Sequence, residues 1–274
     1  MDGRYELGGL ISHSGGGMIH RGWDRQSRRE VIIKRAASGD AGGQAALRRE
    51  ASLLQQVSHP CVVAFLDSGT DDEGAYMIME LAGGQTLEEV TARQPLDLRQ
   101  FEHLVTQTLE GIATAHARGV LHLDLKPQNI MVAQDERGGL RVKLLDFGVA
   151  QTITSSDQPE SDAGGPVMGS LFFMAPERFD RAPVDVRADL YSLGCVYYQA
   201  LAGRPPFEGA TGSEVMVAHI RHQFCPLADV RTDLPAFVPQ WVEWLMSRHP
   251  EERPATALDA LDAFREQRTG ARSP

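Results

Sequence analysis

Val120 to Met131 reads VLHLDLKPQNIM, and it places a carboxylate, an ammonium and a carboxamide in one short segment flanked by apolar residues. Asp124 can accept a proton from a hydroxyl, Lys126 can neutralise a phosphoryl oxygen, and Asn129 can offer its side-chain oxygen to a hard metal ion. Pro127 stiffens the turn between them. An isolated His-x-Asp is more often a turn than a site, so the weight falls on the whole string HLDLKPQN and on what surrounds it.

The chain has 274 residues, of which 42% are hydrophobic, enough for one large domain or two small lobes sharing a cleft. A formal charge of −10 supplies no basic excess for nucleic-acid phosphates, so nucleic acid is not expected as a partner. Cys61, Cys195 and Cys225 are odd in number and scattered, which favours reduced core thiols over disulfides or a zinc site. The opening MDGRYELGG carries no apolar leader, and about 18 uncharged apolar residues never run together. A cytoplasmic protein with no membrane segment within this chain is the expectation.

Residues 5–36 read as strands and turns: YELGGLIS, a Gly/Ser run, MIHRGWD, a polar turn, and EVIIKRA. The link SHSGGGM, residues 12–18, can bring backbone N–H groups close to an anion or can be an ordinary glycine hairpin. Lys34 ends an apolar strand at the distance that would point it under that loop. A Gly/Ala linker over 38–46 precedes LRREASLLQQV, whose Leu47, Ala51, Leu54 and Val57 have helical spacing. Glu50, on the neighbouring face, is either a solvated helix charge or the carboxylate that fixes Lys34. The helix is expected to stop near His59-Pro60. CVVAFLDSG and AYMIMELA read as two strands joined by an acidic turn, and Glu80 to Gly84 as a hinge able to hydrogen-bond a heterocycle.

From Thr86 the helical period dominates. QTLEEVTAR is a short helix and LRQFEHLVTQTLEGIATAHARG a long one that Gly119 stops. IMVAQ and LRVKLLD form two strands around a GG turn, closed by Asp146-Phe147-Gly148. Gln151 to Gly169 is polar and aperiodic, a mobile loop in expectation, whereas GSLFFMAPE is apolar enough to pack down. DVRADLYSLGCVYYQALAG is apolar nearly all round and reads as a buried helix, in which Asp189 needs a partner. Several helices follow over 213–264, with Trp241, Trp244 and Leu245 expected in the core, and 268–274 reads as a frayed tail.

Taken together, VIIK with Lys34, Glu50 in the next helix, HLDLKPQN, DFG, APE, the DLYSLG helix and Arg253 in ERP stand in one order at compatible separations. In these the chain resembles the eukaryotic-type (Hanks-type) protein kinase superfamily, and within it the bacterial serine/threonine kinases, over about residues 5–265. The resemblance implies an α+β bilobal fold: a β-rich N-lobe over 1–82, a mainly helical C-lobe over 83–265, and a flexible tail over 266–274. It implies ATP with Mg²⁺, or alternatively Mn²⁺, and a protein substrate bearing a Ser/Thr hydroxyl; oligomeric state is not legible.

The same resemblance assigns roles. Lys34, paired with Glu50, would hold the α- and β-phosphates; Asp146 and Asn129 would bind the metal; Asp124 would orient and deprotonate the hydroxyl; Lys126 would steady the γ-phosphoryl. Adenine would lie against Ile11, Ile19, Ile32 and Met131, with backbone bonds at Glu80 and Ala82, phosphates under Gly15, Gly16 and Gly17, and Met79 as gatekeeper. Leu54, Phe65, His122 and Phe147 would stack as a spine anchored by Asp189, and Glu177 would pair with Arg253.

Three departures from the family pattern stand out. Ser12 and Ser14 replace two signature glycines of the nucleotide loop, and Ile32 replaces a small alanine two residues before Lys34. Leu123 replaces the arginine that precedes the catalytic Asp, which removes the partner for a phosphate on Thr152, Thr154 or Ser155; activity independent of activation-loop phosphorylation is the expectation. Ser170 stands where threonine is usual. The rival readings are a pseudokinase scaffold and a small-molecule phosphotransferase; relatives of the latter generally lack the APE segment and the Asp-x-Lys spacing.

Overall fold

The structure, a computed structural model, describes every residue except 2, 15, 16, 136, 137, 148, 149, 153–167, 181 and 271–274, with backbone alone at 14, 151 and 152. The chain divides into two compact units, Met1–Gly83 and Gly84–Pro274.

The first unit is built on an antiparallel sheet of β1 (Tyr5–Ser14), β2 (Gly17–Asp24), β3 (Arg29–Arg35), β4 (Phe65–Asp71) and β5 (Gly74–Glu80), in the order β1-β2-β3-β5-β4. One helix, α1 (Ala41–Leu54), packs against β4 and β5. Because side chains alternate across a strand, β3 sends Val31 and Ile33 into a core with Tyr5, Tyr76 and Ile78, and presents Ile32 and Lys34 on the other face. β5 is an inner strand, between β3 and β4, and is buried on both faces through Met79.

Three boundaries differ from the sequence expectation. The linker expected over 38–46 is mostly helix. Asp40 caps Gly43 N at 2.9 Å, and Gln44 holds the carbonyls of Ala37 and Ser38, so side-chain hydrogen bonds overcome the weak propensity of Gly42 and Gly43. The same helix stops at Leu54, short of His59-Pro60. The strand expected from Cys61 begins at Phe65, because the chain is still turning: Val62 N bonds His59 O at 3.0 Å, and Cys61 N bonds His59 Nδ1 at 3.1 Å.

In the second unit, β6 (Gln85–Thr86) leads into α2 (Leu87–Thr91), started by a capping box between Thr86 and Glu89. A second box, Asp97 with Gln100, starts α3 (Leu98–His116). Its Phe101, Leu104, Val105, Leu109 and Ile112 are all buried, each contributing about 1.5–3 kcal/mol relative to exposure. Next come β7 (Val120–Leu121), a 3-10 turn (Pro127–Asn129), β8 (Ile130–Gln134), β9 (Leu140–Leu144) and β10 (Gln151–Thr152). They pair as β6-β8-β9 and β7-β10. Helices α4 (Met168–Leu171), α5 (Pro176–Phe179), α6 (Val186–Ala202), α7 (Gly212–Arg221), α8 (Leu227–Val230), α9 (Phe237–Leu245) and α10 (Ala257–Gly270) complete it.

As its composition requires, α6 is buried almost all round. Gly194 lets Met246 approach, since a Cβ there would sit 2.7 Å from Met246 Cγ. Trp241 is fully buried, whereas Trp244 is only half-buried and donates to Glu252 O at 2.8 Å. The tail expected from residue 266 is helical to Gly270, because Arg265 and Arg268 bond Glu110 and Glu102 of α3 at 2.8 and 2.9 Å. No helix among the described residues is long and apolar enough to cross a membrane.

Candidate active site

Each unit carries part of the constellation and is described by itself. In the first, Lys34 and Glu50 face each other from β3 and α1, with Nζ 2.8 Å from both carboxylate oxygens and side-chain exposures of 8% and 4%. A pair so far from water holds only through such geometry, and removing either member takes from the other a buried partner of opposite charge. Glu50 is therefore the lysine's carboxylate and not a solvated helix charge.

β1 and β2 meet as a hairpin with Ser14 opposite Gly17. A Cβ at Gly17 would come 2.2 Å from Arg35 O, so the backbones approach there as only glycine allows. Gly15 and Gly16 lie outside the described residues. Ile19 pairs with Lys34, and Ile32 with Met79, in register across the sheet; Ile19 and Ile32 are half-buried and Ile11 is exposed. Glu80 ends β5, its N–H bonded to Ala64 O at 2.9 Å, and Ala82 follows it half-buried.

In the second unit the stretch from Val120 to Met131 runs from β7 through the 3-10 turn into β8. Asp124 Oδ2 accepts Lys126 Nζ at 2.6 Å and Asn129 Nδ2 at 2.9 Å, and Asn129 Nδ2 also reaches Asp124 O at 2.8 Å. Among the described residues both side-chain donors fall on Oδ2, which leaves Oδ1 to meet a hydroxyl. Lys126 Nζ further contacts Ser170 Oγ of α4 at 3.0 Å.

Asn129 and Asp146 are brought to the same end of the β8–β9 hairpin, where Leu145 N bonds Asn129 O at 2.9 Å. Asn129 spends its amide nitrogen on Asp124, so its Oδ1 is the atom left to bind a cation. Among the described residues no group of three or more His, Cys, Asp or Glu could hold a metal. One carboxylate and one amide oxygen fit Mg²⁺, which takes few protein ligands and completes its octahedron with phosphates and water. Met131, two residues on, is half-buried in β8.

Asp189 organises the loop from below. Its carboxylate accepts His122 N and Leu123 N at 2.8 Å each and meets His116 Nε2 at 2.9 Å. Burial alone would push this carboxyl up; the His116 hydrogen bond and charge and the backbone N–H of His122 outweigh it and hold the pKa below its ordinary value. His122 Nε2 faces Leu145 O at 2.9 Å, and Asp124 N donates to His122 Nδ1 at 3.3 Å, which requires the proton on Nε2. Phe147 packs against this ring, with centroids 4.5 Å apart and the two planes tilted by 45°. Leu123 and Asp146 both adopt left-handed backbone, φ 61° and 55°. Such conformations cost non-glycine residues on the order of 1–3 kcal/mol and gather at functional sites.

Glu177 and Arg253 form a fork-to-fork pair at 2.7 and 2.9 Å, and Arg253 also reaches the carbonyls of Ser247, Arg187 and Arg248. Two contributors escape the motifs. His116 was legible only as one side of α3, and Arg178, which donates to Leu123 O, carries no pattern beyond standing after Glu177. Gly148, Thr154 and Ser155 lie outside the described residues, as does the side chain of Thr152.

The sequence pattern of the protein kinase domain matches residues 5–263, and the chain belongs to that family. It is similar to proteins named as serine/threonine-protein kinases in several bacteria. It is 32% identical over 269 residues to serine/threonine-protein kinase pkn2 of Myxococcus xanthus, covering 96% of this chain and 32% of that protein. It is 31% identical over 264 residues to serine/threonine-protein kinase PknB of Mycobacterium tuberculosis, covering 93% and 41%. A probable PknB of Bifidobacterium longum is 32% identical over 270 residues, covering 94% and 38%. The chain thus spans about a third to two-fifths of the length of these curated relatives.

Proposed function

We propose that this chain transfers the γ-phosphoryl group of ATP to a serine or threonine hydroxyl of a protein. The observation that carries the reading is Asp124, whose Oδ2 is tied by Lys126 and Asn129 while Oδ1 remains for the incoming hydroxyl. Phosphoryl transfer asks an enzyme mainly for positioning and charge neutralisation. Asp124 orients the nucleophile and takes its proton; Lys126, close to both Asp124 and Ser170, steadies the transferred group; Lys34, fixed by Glu50, neutralises the nearer phosphates. Asp146 and Asn129 would hold Mg²⁺, which supplies charge neutralisation at the phosphates.

Leu123 is 4% exposed and offers no cation to a phosphorylated loop, which supports activity without activation-loop phosphorylation. Protein phosphatase treatment should leave the rate unchanged. A cytoplasmic location and preference for Mg²⁺ over Mn²⁺ belong to the same proposal.

The test is Mg²⁺-dependent transfer of labelled γ-phosphate to generic protein acceptors, compared with Asp124→Asn. Loss of the base should cost roughly 10²–10⁴-fold in kcat. ATP binding without transfer in the unsubstituted chain would favour the pseudokinase reading, for which Ser12, Ser14 and Ile32 speak.

A further inference from the structure

Arg178 lies in α5 directly after Glu177, yet Glu177 gives its two oxygens to Arg253. Burial pulls the Arg178 guanidinium below the ordinary arginine pKa, against the opposing fields of Asp189, Asp124 and Glu177. A guanidinium in such a place normally meets a carboxylate fork. Here its one hydrogen bond among the described residues runs from Nη1 to the carbonyl oxygen of Leu123.

That carbonyl belongs to the peptide joining Leu123 to Asp124. Leu123 has φ 61°, a conformation that leucine does not keep unless its surroundings impose it. On one side, Asp189 Oδ1 holds the Leu123 N–H at 2.8 Å; on the other, Arg178 holds the carbonyl. If the peptide between residues 123 and 124 rotated, Asp124 N would leave His122 Nδ1, and the carboxylate would turn away from Lys126 and Asn129. The cation that fixes this plane has to come from another element, because residue 123 is a buried leucine.

We infer that Arg178 is a positioning residue for Asp124: it locks the Leu123–Asp124 peptide in its left-handed setting and so aims the carboxylate at the acceptor hydroxyl. The inference rests on the phosphoryl-transfer reading above.

The test compares the full chain with Arg178→Met and Arg178→Lys by steady-state transfer and by amide hydrogen exchange over residues 120–126. Methionine keeps the bulk and removes the donor; lysine keeps one donor. R178M should lower kcat about 10- to 100-fold with KM for ATP within about threefold, and exchange in 120–126 should quicken about tenfold or more. R178K should stay within about fivefold of the unsubstituted rate and show slower exchange than R178M. A kcat for R178M within twofold of the starting chain, or equal losses in both variants with exchange unchanged, overturns the role. If R178M does not fold, Arg178→Gln takes its place under the same criteria. If the unsubstituted chain transfers nothing, the phosphoryl-transfer reading fails, and exchange over 120–126 alone decides whether Arg178 holds the loop.

Discussion

His219 makes the second unit sensitive to acid, and the size of the effect can be worked out. The ring is fully buried on α7, its centroid 4.1 Å from Phe207 and 5.7 Å from both Phe179 and Tyr191. Tyr191 OH lies 2.7 Å from Nδ1, while Nε2 has no hydrogen-bond partner among the described residues. Burial is the main cause that lowers its pKa to about 3; the nearby backbone of Leu171 and Phe172 favours the proton but is outweighed. The unfolded chain takes up a proton near pH 6.5 and the folded chain only near pH 3, so U binds more protons across that window and stability falls as pH falls through it. Between pH 7.5 and 5 the loss is about 2 kcal/mol, approaching a ceiling of about 5 kcal/mol near pH 3.

His219→Gln removes the titrating group and keeps a polar partner for Tyr191. Urea unfolding at pH 7.5, 6 and 5, read by tryptophan emission, should show the variant losing about 2 kcal/mol less than the parent over that interval. Two of the three tryptophans, Trp241 and Trp244, report from the second unit. Parallel loss in both proteins would refute the reasoning, since the remaining histidines titrate alike in each.

Two further outcomes follow from the geometry. Arg253→Met leaves Glu177 charged and buried and strips three carbonyls of a donor, so it should cost about 3–5 kcal/mol, checked by the urea midpoint. Gly84→Ala puts a Cβ 2.2 Å from Val132 O at a backbone φ of 110°, which should cost upwards of about 2 kcal/mol and lower the melting temperature by roughly 4–8 °C.

Much of this was legible in the chain itself. Alternating and helical periods located the strands of the first unit and the long helices of the second, because burial on one face imposes those periods. HLDLKPQN, DFG and the strand lysine were legible as candidates because the chemistry they would serve needs particular side chains at short separations. Boundaries were less legible: the 38–46 stretch looked like a linker by glycine content, but the Asp40 cap and the Gln44 hydrogen bonds to Ala37 and Ser38 made most of it helix.

The sequence by itself determined which groups are available: the carboxylate at 124, the amide at 129, the ammonium at 34, and the leucine at 123 where a cation was expected. Only the tertiary structure decided which of them meet. Asp189 reaches His116 and the amides of His122 and Leu123 across more than sixty positions of chain, and Arg178 closes on the Leu123 carbonyl from a separate helix. Such contacts leave no local period, because a buried charge or an orphaned carbonyl is satisfied by whichever partner the packing brings near, and packing is set by the whole unit.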